Sequence, residues 1–208
     1  MNKTKIFLSL VLALLFNTLV AVKASNKSEN ITEKSIKYNI SALGMNLGQF
    51  TVKQKSNNGI ISIEGITDIK VKLLLTYQVK YIQETTHQNG RLRQSHLQTK
   101  KNGETYSDTW LIAQKDDYLL IKDGDSTLIN DDITYTGSLL YFNEPIHSSY
   151  LYKEKSGEKR RIKSTDDHTY VLLNDKGQVT HEYTYKNGIL AQAKIKFSIA
   201  DIRLDFIQ

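Results

Sequence analysis

The sequence contains no cysteine and a single proline, Pro145, in 208 residues. Without thiols there is no disulfide framework and no nucleophilic cysteine, so the fold must hold through buried surface alone. The chain also lacks a glycine-rich phosphate loop, a His-Glu-x-x-His helix and a Gly-x-Ser-x-Gly elbow. None of the five histidines (His87, His96, His147, His168, His181) stands at metal-ligand spacing from another. Surface or strand-end positions are therefore expected for them, and no metal, cofactor or catalytic residue is expected.

Only one long apolar run is present, Ile6 to Val20, broken by Asn17 and Thr18. Lys3 and Lys5 precede it and Val22-Lys23-Ala24 follows, the layout of a secretory signal peptide over residues 1–24. A spanning helix needs about 20 apolar residues, more than this run offers, and no later segment is apolar enough to span. Export to the periplasm or cell envelope is the expectation, with no transmembrane segment after cleavage. Lys3, Lys5 and Lys23 would leave with the signal, taking the net charge from +6 to +3. That is ordinary solubility rather than a nucleic-acid footprint. Residues 25–35 are polar and expected as a flexible leader, and 36–208 as a single domain large enough to bury a core.

What is present is alternation. From Ile69 to Tyr81 the odd positions read Ile, Val, Leu, Leu, Tyr, Val, Tyr, and the even ones are polar except Leu74. Strand side chains alternate faces, so the odd set forms one apolar face. Thirteen residues would make a strand ~43 Å long, so a bend, bulge or short turn is expected at Leu73-Leu74-Leu75, where the alternation falters. Asn58-Gly59, Asn89-Gly90, Asn102-Gly103 and Asn187-Gly188 mark tight hairpins, because both central residues of a type I′ turn need positive φ. Asp123-Gly124, Ser156-Gly157 and Lys176-Gly177 add turns, and Gly44 and Gly48 bracket another connection. A two-residue turn at Asn89-Gly90 sets His87 opposite Leu92, Glu84 opposite Ser95 and His96 opposite Gln83. One at Ser156-Gly157 sets Glu154 opposite Lys159, a solvated charged hairpin. No aromatic interleaving accompanies these charges, so nucleic acid is not an expected partner. A phase change near Ala200-Asp201 signals a further turn or bulge.

The pattern predicts an all-β fold: a curved antiparallel meander of about ten to twelve strands, forming an open or closed barrel. One short helix is predicted near residues 138–142, capped by Ser138 and ended by Pro145. The acidic pairs Asp116-Asp117, Asp131-Asp132 and Asp166-Asp167 fall in turns, where aspartate bonds its own backbone, and none resembles a calcium loop. Tyr77, Tyr81, Tyr106, Tyr183 and Tyr185 lie in strands, where core packing is the default role of aromatics. A curved sheet of this size can also enclose a ligand cavity.

Tyr38-x-Ile40-x-x-Leu43-Gly44-x-x-Leu47-Gly48, Asn89-Gly90-Arg91-Leu92, Ile133-Thr134-Tyr135 and Leu140-Tyr141-Phe142-x-Glu144-Pro145 carry a resemblance. Through them, over most of residues 36–207, the chain resembles a family of exported bacterial proteins of unknown function. That resemblance implies a periplasmic or envelope location and an antiparallel sheet, and brings no catalytic residues. In architecture alone the chain is similar to half-barrel carriers of lipoproteins and lipids in the periplasm. The expected function is a non-enzymatic protein binding a lipid or other apolar molecule. The expected ligand face is Leu75, Tyr77, Val79 and Tyr81 beneath Leu140, Tyr141 and Phe142. An envelope interaction or assembly factor without a small ligand is one alternative. A hydrolase of polysaccharide or ester is another, and it requires clustered carboxylates or a Ser-His pair inside the concavity.

Overall fold

The computed structural model describes residues 31–72, 76–198 and 200–207, with the side chains of 71–77 outside the description. The expected signal peptide lies outside these residues. The alternating stretch divides into two antiparallel neighbours, β3 (Ile60–Lys72) and β4 (Thr76–Gln88), with Ile69 opposite Val79 and Val71 opposite Tyr77. Residues on both sides of the division thus share a face, as the odd-position pattern requires.

Before them come β1 (Thr32–Ala42) and β2 (Met45–Asn57), and after them β5 (Arg91–Lys101), β6 (Glu104–Ala113), β7 (Tyr118–Lys122) and β8 (Asp125–Ile129). A crossover, residues 130–149, carries a 3-10 helix at Gly137–Tyr141. It leads into β9 (Tyr150–Lys153), β10 (Glu158–Asp166), β11 (Thr169–Leu173), β12 (Val179–Lys186), β13 (Ile189–Ile195) and β14 (Ile202–Phe206). All fourteen strands form one antiparallel sheet in the order β8-β7-β6-β5-β4-β3-β2-β1-β14-β13-β12-β11-β10-β9. The strand number exceeds the expected ten to twelve, because β7, β8 and β9 are short and carry little alternation to read. The helix is 3-10 rather than α, and begins one residue before Ser138. β1 starts at Thr32, so the last residues of the expected leader are already paired with β2.

The asparagines of the four Asn-Gly pairs have φ between +47° and +53°, as their turns demand. Two sequence-based turn assignments differ from the structure. The connection after β1 is Leu43-Gly44 alone, while Gly48 lies within β2 at a bulge facing Ile40 of β1 and Ile69 of β3. The β9–β10 turn holds four residues, 154–157, not two. Lys159 therefore pairs with Tyr152, and Glu154 turns inward instead of facing Lys159. A bulge at Thr86/His87 also moves Glu84 opposite His96, and Gln83 opposite Leu97.

The sheet is not closed by a ladder. Its two edge strands are β8 and β9, and the crossover ties β9 to the start of β5. Tyr135 O accepts from Tyr152 N at 2.9 Å, and Ile133 O accepts from Leu92 N at 2.9 Å. Asp131 takes hydrogen bonds from Lys159 Nζ and, secondarily, Tyr152 Oη, which hold its carboxyl down at about 2. Two apolar clusters fill the concave side. The larger runs from Tyr38, Phe50 and Val52 to Leu172, Tyr185 and Leu204. The smaller joins Leu92, Leu111, Tyr118 and Leu120 to Ile133 and Tyr152.

Candidate functional site

Along β4 the inward odd face changes character. Tyr81 packs on the larger cluster, but Gln83, Thr85 and His87 are buried and polar. Each of these finds a partner, as burial of a polar group requires. Thr85 Oγ1 lies 2.8 Å from Ser95 Oγ. His87 Nε2 lies 3.1 Å from Thr136 Oγ1, which is 2.9 Å from Ser138 Oγ. Gln83 Nε2 donates to Glu154 Oε1 at 3.3 Å.

Glu154 is the centre of this layer. It is 3% exposed and accepts from Ser138 N at 2.8 Å and Gly137 N at 3.0 Å, the first amides of the 3-10 helix. Those amides have no intrahelical acceptor, so the carboxylate satisfies them and seats the helix over the concavity. A Cβ on Gly137 would lie 2.9 Å from Glu154 Oε2, so only glycine lets the carboxylate approach this closely.

Beneath the helix is a cavity of about 200 Å³. Tyr81, Gln83 and Leu97 of β4 and β5 form one wall. Tyr183, Leu190, Ala193 and Leu204 of the C-terminal strands form the opposite one. Leu140 and Tyr141 roof it, and Glu154 and His181 add polar groups. Tyr81 Oη donates to Gln83 Oε1 at 3.4 Å, while the hydroxyls of Tyr141 and Tyr183 make no hydrogen bond among the described residues. Burial pushes both phenols up from their ordinary pKa, so they are neutral donors.

Of the residues predicted from sequence, Tyr81, Leu140 and Tyr141 line this cavity. Phe142 is buried in the larger cluster away from the lining, and Val79 is half-buried outside that cluster. Leu75 lies outside the described residues, and Tyr77 is described by its backbone only. Sequence reasoning missed Gln83, Glu154, Tyr183 and Ala193. Continuing the odd register of β4 past Tyr81 would have found Gln83. Nothing in the spacing distinguishes Glu154 from the surface charges beside it.

The histidines divide in two. His96 stacks on Trp110 at 3.9 Å and bonds Asp108, and His168 Nδ1 bonds Glu144 Oε1 at 2.9 Å. Glu144 also accepts from Tyr170 Oη at 2.8 Å, which fastens the crossover to β11. Surface or strand-end positions are expected for both His87 and His181; His87 does stand one residue from the end of β4 but is 1% exposed, and His181 is half-buried within β12. Burial holds each down at about 4. The folded pKa lies below the unfolded value, so this stability is fully present above about 6.5 and is lost as pH falls toward 4. Urea midpoints should therefore decline over that window, with uptake of up to two protons on unfolding. His181→Asn should remove about half of that slope.

The hydroxyl–imidazole chain His87–Thr136–Ser138 is not arranged for nucleophilic catalysis. Among the described residues His87 Nδ1 has no partner to orient the ring, and all three residues are at most 1% exposed. Among the described residues no group of three or more His, Asp or Glu side chains could hold a metal ion.

A family model described as "Domain of unknown function (DUF6134)" matches residues 38–207. No curated protein matches the chain. Among solved structures the chain is similar to a beta-barrel-like protein of domain of unknown function DUF1849 from Brucella abortus. That similarity has 9% identity and a TM-score of 0.54, and covers 84% of this chain and 95% of that one. At this identity the likeness concerns the fold alone.

Proposed function

We propose that this chain, which belongs to the DUF6134 family of unknown function, is a non-enzymatic binding protein of the periplasm or cell envelope that takes an apolar or amphiphilic small molecule into its barrel-like interior. One observation carries this reading: the cavity of about 200 Å³ between the two halves of the sheet, walled by leucine and tyrosine and roofed by Leu140 and Tyr141. A well-packed interior leaves few voids larger than a water molecule, and ligand sites are mostly apolar clefts with a few placed polar groups. The export layout of residues 1–24 supports the location.

Filling the space tests the reading. Ala193 is 4% exposed and lines the cavity, whereas its neighbour Gln192 is exposed on the other face. Native mass spectrometry of the wild-type protein, purified gently from the envelope fraction, should show a bound small molecule. Ala193→Leu should abolish the added mass while Gln192→Leu keeps it. A bare wild-type mass, with no uptake of any apolar probe, would reduce the cavity to a packing defect.

A further inference from the structure

The polar groups of the cavity specify more than apolarity. Resting on the binding role above, we propose that the ligand is a compact organic cation, an ammonium group on a short alkyl or aromatic body, with its charge placed at Glu154.

Glu154 lines the cavity as a buried carboxylate and has no cationic partner within 4.0 Å among the described residues. A carboxylate offers about four lone-pair sites. Gln83 and Ser138 take those of Oε1, and Gly137 takes one on Oε2, so an acceptor site is left over. Desolvating a charge without a counter-charge is costly, and a cation arriving in the cavity offsets that cost. Lys153, also at the lining, is engaged with Glu158 at 3.1 Å, and Lys155 is exposed to water.

The rings of Tyr81, Tyr141 and Tyr183 line the same space. Aromatic faces around an acidic group are the chemistry that recognises ammonium ions. An anionic headgroup seated against this carboxylate would be repelled, and the two lysines of the lining hold their charges elsewhere, Lys153 on Glu158 and Lys155 in water. Size sets the body. An engineered cavity of about 150 Å³ accommodates benzene, so about 200 Å³ suits a body of similar or slightly larger size.

Three six-carbon probes separate the possibilities: hexylammonium, hexanol and hexanoate, titrated calorimetrically at neutral pH and low salt into purified protein that native mass spectrometry shows to carry no bound small molecule. Hexylammonium should bind at least ~10-fold more tightly than hexanol, and hexanoate most weakly. Glu154→Gln should bring the amine and alcohol to within ~2-fold, with retained hexanol binding reporting an intact cavity. Hexanol binding as well as hexylammonium, or an unchanged preference in the variant, overturns the cation assignment and leaves the cavity reading standing. Failure of all three probes on the wild-type protein overturns both.

Discussion

Gly48→Ala should lower the thermal midpoint by roughly 10 °C, the largest effect expected of any single methyl group in this protein. Gly48 has φ of +151° in the interior of β2, a backbone conformation that residues with a Cβ rarely adopt. A Cβ there would press into the carbonyl oxygen of Asp68 and lie 3.0 Å from Ile69 Cα, both backbone atoms of β3. No rotamer relieves such a contact, so β3 must retreat and its ladder with β2 must loosen. Strain of this kind costs about 3 kcal/mol, and a domain of this size shifts by about 2–4 °C per kcal/mol. Gly90→Ala is the matched control. Its φ is also positive, at +79°, but nothing lies within 4 Å of the added Cβ. It should cost only about 1 kcal/mol, through the turn itself. Equal losses in the two variants would show that the close approach of β2 and β3 does not constrain Gly48.

Glu154→Ala should cost about 3 kcal/mol and loosen the roof of the cavity. The side chain joins three separate parts of the chain: Gln83 on β4, the β9–β10 turn, and the amides of Gly137 and Ser138. Truncation strands the buried main-chain donor of Ser138, the part-buried one of Gly137 and the Gln83 amide, each of which costs up to about 1–3 kcal/mol where water does not replace the partner. Denaturant midpoints measure the loss. Near-UV circular dichroism follows Tyr141, whose ring packs 5.2 Å from that of Phe50. A variant with unchanged midpoint and unchanged tyrosine signal would mean that water seats the helix equally well.

Much of the fold was legible because strand periodicity and turn chemistry are local. Asn58, Asn89, Asn102 and Asn187 all adopt the positive φ that their following glycines signal. β3 ends at Lys72 and β4 begins at Thr76, while the bend, bulge or turn expected at Leu73–Leu75 lies outside the described residues. The site was less legible because its polar groups use the same alternation as the apolar ones. Gln83 and His87 occupy inward positions by register alone, and an apolar reading of that face stops at Tyr81. Glu154 depends on turn length. A two-residue turn at Ser156-Gly157 leaves it on a solvated strand, whereas the observed four-residue turn releases it to the interior. Tyr106 shows the reverse error, since a strand tyrosine expected in the core is 73% exposed.

The strand order has a consequence for how the molecule assembles. Every neighbouring pair in the sheet is consecutive along the chain except β1 and β14, where Tyr38 meets Phe206. Two arms, β1 to β8 and β9 to β14, can each zip outward from their own hairpins with little loop entropy to overcome. The union of β1 with β14 is the single non-local ladder, and it joins the two ends of the described chain. Loop entropy therefore weighs most heavily on the meeting of the two arms. A chain rejoined at its ends and opened in the 130–149 crossover would keep every rung of the sheet and make all of them local.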